Sequence, residues 1–164
     1  MSVDTVEKLL VDELKDLYSA ENQITKALPK MAKAASTGEL KTAFETHLKE
    51  TEGQIKRLDR VFEILGKTAT GKSCKGMKGL LEEGAEVMEE TEGEVRDAAM
   101  ISAAQKVEHY EMAGYGTVRT YAELLGKNEI AHLLQQTLEE EGETNKKLTQ
   151  IAGKVNKQAQ KHAA

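Results

Sequence analysis

Glu108 and Glu111 stand three residues apart in the run Gln105-Lys-Val-Glu-His-Tyr-Glu111, in the middle of a long helical pattern. At about 100° per residue, Ile101, Ala104, Met112 and Tyr115 fall on the same side of that helix as Glu108. The acid therefore interrupts an apolar stripe, where an ionised carboxylate is costly unless a cation or a hydrogen-bond network meets it. Three other stripes are interrupted in the same way. Glu21 sits among Leu10, Leu14, Leu17, Ile24 and Leu28. His47, with Thr51 and Gln54, lies on the line of Leu40, Phe44, Leu58, Val61 and Leu65, and Glu50 is on its flank. Glu141 falls within Ile130, Leu134, Leu138, Leu148, Ala152 and Val155. Each interruption is near the midpoint of its helix. In an up-down bundle, midpoints share one height whichever way each helix runs, so these side chains converge on one zone.

Several carboxylates and an imidazole in one buried zone cannot all stay ionised without compensation. Either protons are shared among them or cations fill the space. Carboxylate and imidazole donors suit iron or manganese and can also hold zinc. Two metals bridged by glutamates would satisfy the charges and leave positions open for dioxygen or peroxide. The alternative is a proton-sharing polar core that holds no metal, in a non-catalytic structural or interaction protein. Other residues point to chemistry less directly. His109 is one step off the Glu108 line, His132 is off the fourth stripe, and His162 is in the tail. Cys74 lies near Lys72 and Lys75, which could lower its pKa. Tyr18, Tyr110 and Tyr115 are placed where they could flank a central site.

The positioning elements are helices over about 4–35, 38–65, 76–90, 94–125 and 128–157, in a single domain spanning 1–164. Pro29 should bend the first, since it removes one backbone donor and crowds the preceding turn. Ser36 followed by Glu39 fits a capping box opening the second, and Gly66 fits its stop. Residues 66–93 begin as a polar, glycine-punctuated connection. Met77, Leu80, Leu81, Val87 and Met88 then mark a short helix outside the four main stripes, predicted to help form a dimer. Gly114 and Gly116 suggest an irregularity in the next long helix, Asn128 a cap for the last, and the Lys/Gln-rich stretch after Val155 a frayed end. Each long helix would extend about 45 Å. Two helical hairpins joined by one long crossover give an all-α, ferritin-like four-helix bundle.

The bulk composition excludes other classes. Among 164 residues, the net charge is −5 and the basic residues alternate with acids, which argues against nucleic acid as a partner. Cys74 is the sole cysteine, so no intrachain disulfide forms. No apolar run approaches the roughly 20 residues of a membrane helix, and no signal peptide is evident, which predicts a cytoplasmic protein without a membrane partner.

The chain resembles the ferritin-like YciE/YciF family of bacterial stress-associated proteins. The resemblance is carried by Leu17-Tyr-Ser-Ala-Glu-Asn-Gln23, His47-Leu-Lys-Glu-Thr-Glu-Gly-Gln-Ile-Lys-Arg-Leu58 and Cys74-Lys-Gly-Met-Lys-Gly-Leu80. Ala104-Gln-Lys-Val-Glu-His-Tyr-Glu111, Ala113-Gly-Tyr-Gly116 and Leu138-Glu-Glu-Glu141 extend it over nearly the whole chain. It implies a fold like that of rubrerythrin-type di-iron proteins, a stress-response role and a homodimer. Ferritin-like sites usually draw Glu-x-x-His from two helices. Here the corresponding stretches read Thr51-x-x-Gln54, His47-x-x-Glu50 and Glu141-x-x-Thr144, while Glu108-x-x-Glu111 is of the kind rubrerythrin-like sites can use. The expected metal ligands are Glu21, His47, Glu50, Glu108, Glu111 and Glu141, with iron (a di-iron centre) or manganese as the cofactor.

Overall fold

In the computed structural model, residues 2–161 are described, and they form five helices. Helix α1 spans Val6–Ala34 and is capped by Thr5, whose Oγ1 accepts from the Lys8 N–H at 3.2 Å. It runs on through Pro29. Helix α2 spans Gly38–Leu65 and stops at Gly66, whose φ of 60° is a left-handed conformation that glycine adopts without a Cβ clash.

The start of α2 corrects the capping-box expectation. Thr37 is the cap and makes no side-chain cap bond. The backbone N–H groups of Ser36 and Thr37 instead donate to the two oxygens of Asp97, at 2.7 and 2.8 Å. A buried carboxylate 60 residues downstream thus anchors the two residues that lead into α2.

Helix α3 spans Lys75–Glu90 and α4 spans Gly93–Leu124, the latter continuous through Gly114 and Gly116. No break occurs there, and Gly114 serves packing. A Cβ at that position would lie 2.7 Å from Leu17 Cδ2, so its absence lets α1 and α4 approach closely. Helix α5 spans Asn128–Lys161, with Asn128 its first residue and the Lys127 carbonyl accepting from the Ala131 N–H at 3.0 Å. It continues past the expected end near 157, because Ile151 and Val155 are buried and hold the last turns on the bundle. His162 lies outside the described residues.

The four long helices pack in a ring, α1 on α2, α2 on α5, α5 on α4 and α4 on α1. Neighbours are antiparallel throughout. Arg60 near the end of α2 meets Glu129 at the start of α5 at 3.4 Å, and Lys154 near the end of α5 meets Glu39 at the start of α2 at 3.2 Å. Lys127 likewise joins Glu7 at 3.5 Å, at the opposite end of the α1–α4 pair from Asp97. The 66–92 connection therefore travels the length of the bundle, with α3 lying on α4 and α1. Its apolar residues are used within the chain. Met77 is fully buried, and Leu80, Leu81 and Met88 pack partly buried against the core.

That core is in two parts. One is built around Ile24, Leu28, Phe44, Met100 and Leu148, the other around Leu10, Leu14, Val61, Tyr115 and Ile130. Apart from Asp97 at the α1–α2 turn, the buried polar side chains occur between them along the chain's helices. Among the described residues, no helix is long and apolar enough to cross a membrane.

Candidate metal centre

Four of the six expected ligands come together. His47 of α2, Glu108 and Glu111 of α4 and Glu141 of α5 each offer one ligand atom, and these atoms lie within 4.8 Å of one another. All four residues are buried, the two α4 glutamates and Glu141 at 0–1% exposure and His47 at 5%. His47 Nε2 lies 3.0 Å from Glu108 Oε1 and 4.0 Å from Glu141 Oε2. Neither contact is aligned as a hydrogen bond, so both ring nitrogens lack a hydrogen-bond partner. The second oxygen of Glu108 and both oxygens of Glu111 and Glu141 are also without partners.

Glu21 of α1 adjoins this group and is fully buried. Its Oε1 accepts from the Tyr115 hydroxyl at 2.5 Å, while Oε2 is unpaired. Tyr115 is thus the tyrosine beside the centre. Tyr18 packs edge-to-face on Phe62 with ring centroids 6.0 Å apart, and Tyr110 faces the crossover. Glu50 is the outlier of the expected set. It is half-exposed on the far side of His47, with its Oε2 3.6 Å from Nδ1 and accepting from Thr144 Oγ1 at 3.4 Å.

Electrostatics follow from this crowding. Burial, with help from neighbouring carboxylates, raises Glu111 and Glu141 well above the carboxylate range. Burial also lifts Glu21 to about 7, against the opposing influence of Glu111 and of the Tyr115 hydroxyl. Burial opposes the imidazolium of His47, but the charge of Glu108, with Glu50 and Glu141, outweighs it and holds His47 well above its usual value. The neighbouring His47 leads the causes that lower Glu50. Without a cation, the cluster balances itself by keeping protons on carboxylates and a charge on the imidazole.

The family described as Domain of unknown function (DUF892) matches residues 5–161. Protein YciF of Escherichia coli (strain K12) is 51% identical over 166 residues, covering 99% of this chain and 100% of that one. The chain belongs to the YciF family, DUF892. The crystal structure of the E. coli stress protein YciF superposes with a TM-score of 0.91 at 50% identity, covering 94% of this chain and 99% of that one. YcfI of Rhodopseudomonas palustris gives 0.87 at 45% identity, covering 91% and 97%. A protein of Xanthomonas campestris pv. campestris, 21% identical, shares the fold with a TM-score of 0.78 over 97% of this chain and 99% of its own.

In this YciF-family chain, the remaining polar stripe positions have their own partners. Thr51 Oγ1 donates to the His47 carbonyl at 2.8 Å, which fixes the turn that carries the imidazole. Gln54 donates to Glu140 at 3.1 Å, beside an Arg57 that binds Glu140 at 2.8 Å and Thr137 at 2.6 Å. His109 and His132 are exposed, as their off-stripe positions imply.

Cys74 corrects the expectation of a lowered pKa. It is fully buried as the cap of α3, and burial pushes its thiol up. Its Sγ lies 3.1 Å from Asp16 Oδ2 and 3.0 Å from the Tyr110 hydroxyl, which itself donates to Asp16 at 2.6 Å. Lys72 is drawn off to Asp12 at 2.5 Å, and Lys75 is exposed. The Asp16–Tyr110–Cys74 group pins the crossover to α1 and α4. Sequence reading missed Asp16 and Asp97, whose only signal is an acid at a helix position that spatial neighbours, not local ones, make polar.

Proposed function

We propose that this chain is a ferritin-like stress-response protein with a carboxylate-bridged di-metal centre, of iron or manganese, in the middle of its bundle. The observation that carries the reading is the set of unpartnered, buried oxygens and ring nitrogens of His47, Glu108, Glu111 and Glu141. Unpaired buried carboxylate oxygens are costly, and a cation at their centre removes that cost. Ligand bonds of about 2.1 Å place ligand atoms about 3.4 Å apart around a tetrahedral ion, and up to about 4.2 Å apart across an octahedral one. The group, spread over at most 4.8 Å, needs only a slight contraction to meet that geometry. Glu21 on one side and Glu50 on the other are the carboxylates that a second ion would draw on.

Such a centre, when loaded, would supply redox chemistry toward oxygen, peroxide or ferrous iron. The chain's own residues would hold it, with Tyr115 orienting Glu21 by its hydroxyl. The relationship to YciF, an E. coli stress protein, supports the stress-response role. A homodimer and a cytoplasmic location complete the reading.

A second reading has its own support. The centre contains a single imidazole, and its raised carboxyl groups and charged His47 can balance without metal. It would then be the polar core of a non-catalytic structural or interaction dimer. Metal analysis of protein purified without chelator or nickel affinity, followed by anaerobic reconstitution, separates the two. Iron or manganese near two per chain, falling sharply in Glu108→Gln, supports the di-metal centre. No retained metal at any added ion concentration refutes it.

A further inference from the structure

A cleft of about 720 Å³ opens between α2 and α5 and reaches inward to His47 and Glu108. We propose that it is a binding site for an uncharged, elongated apolar molecule whose inner end reaches those two residues. The inference goes beyond the metal-centre reading, since the cleft's walls do not depend on a cation.

Size is the first argument. The volume falls within the roughly 300–1,000 Å³ typical of small-ligand sites, and far exceeds the ~30 Å³ that a water molecule occupies. A passage serving only ions or small gases would not need it. The walls are the second. Ile24 and Leu28 from α1, Phe44 from α2, Ala104 and Val107 from α4 and Leu148 from α5 line the interior. Each keeps 2–7% of its surface open. The apolar lining thus comes from the part of the core built around Ile24, Phe44 and Leu148.

The inner end supplies the polar contacts. His47 and Glu108 both line the cleft, both are at least nine-tenths buried, and both carry atoms without a hydrogen-bond partner. A ligand end bearing a hydroxyl could satisfy them. The mouth decides the charge of the ligand. Glu50, Glu139, Glu140 and Glu143 face Arg57, Lys146 and Lys147 there, and the closest of these are already paired, Arg57 with Glu140 at 2.8 Å and Lys146 with Glu143 at 2.6 Å. Compensated charge offers no strong field to either an anion or a cation. From Gln136 to Gln150 the rim follows α5 for roughly 21 Å, at 1.5 Å per residue, which favours a chain over a compact ring.

The test is calorimetric titration of the full chain with straight-chain primary alcohols from butanol to octanol, run on metal-free and on manganese-treated protein. Affinity should rise about fourfold per added methylene, as burial of apolar surface requires. Ala104→Leu and, separately, Ala43→Phe should fill the cleft and weaken octanol at least tenfold. If either variant fails to fold, methyl NOEs from octanol in the unaltered protein should fall on Val107 and Leu148. Affinity independent of chain length, NOEs confined to other methyls, or full octanol binding by a folded Ala104→Leu protein overturns the proposal. Metal uptake is read separately in the same samples. Protein that binds octanol but never metal upholds the cleft while refuting the metal centre, and protein that takes up metal but not alcohols does the reverse.

Discussion

The polar centre should make the metal-free protein less stable as the pH rises through neutrality. Glu21, Glu111 and Glu141 are all raised in the folded state, so the native chain holds protons that the unfolded chain releases. Stability from a raised group is fully present below its unfolded pKa and is lost as pH climbs through the folded one. His47, also raised, acts in the same direction. Glu50 is lowered, and its contribution disappears only on acidification below the ordinary carboxylate range, outside the window considered. For Glu21 alone, moving from an ordinary 4.5 to about 7 removes roughly 2–3 kcal/mol between pH 5 and pH 8. In a chain of this size that lowers the melting temperature by roughly 5–10 °C. Melting curves in chelator across that range measure it directly. Glu111→Gln, which keeps the shape and removes the titrating proton, should flatten the slope and gain most at pH 8. If a cation binds, it requires deprotonated ligands, so loading should offset the loss or reverse it. A melting temperature that stays level or rises from pH 5 to pH 8 in metal-free protein would refute the assignment of shared protons.

Other residues give independent tests. Asp97→Ala removes both acceptors at the α1–α2 turn and should cost about 1.5–3 kcal/mol in denaturant unfolding, with the helix content otherwise retained. Cys74 should react with iodoacetamide at pH 8 at least about tenfold more slowly in the native chain than in urea, because the thiol is buried and its pKa raised. Leu80→Lys with Leu81→Lys should shift a dimer toward monomer in sedimentation. Because both residues also pack on the chain's own core, the melting temperature should fall as well.

The helices and their inward faces were legible in the sequence because apolar residues at helical spacing must be buried together. Glu21, Glu108 and Glu141 could be found for the same reason, each standing inside its stripe. Glu50 and Glu111 show where periodicity loses its hold. Both sit three residues from a stripe position, yet Glu50 is half-exposed and Glu111 fully buried. Glu111 faces Glu21 of α1 and Glu141 of α5, so this position on α4 is still interior. The environment of Cys74 was illegible for a related cause. Its lysine neighbours in sequence point elsewhere, and Asp16 and Tyr110 arrive from 58 and 36 residues away. The α2 cap was hidden likewise, since Asp97 acts across 60 residues.

The long reach of these contacts also orders the assembly of the chain. Each hairpin, α1 with α2 and α4 with α5, can form from nearby sequence. The polar centre cannot, because Tyr115 meets Glu21 across 94 residues and Gln54 meets Glu140 across 86. Until the two hairpins dock, the central acids remain hydrated, and the penalty of drying them falls on the last step of folding. Local contacts form early and long-range ones late when loop closure must come first. Whatever relieves the crowding of those acids therefore acts on the finished bundle, and it holds the folded chain together by slowing its opening more than by hastening its formation.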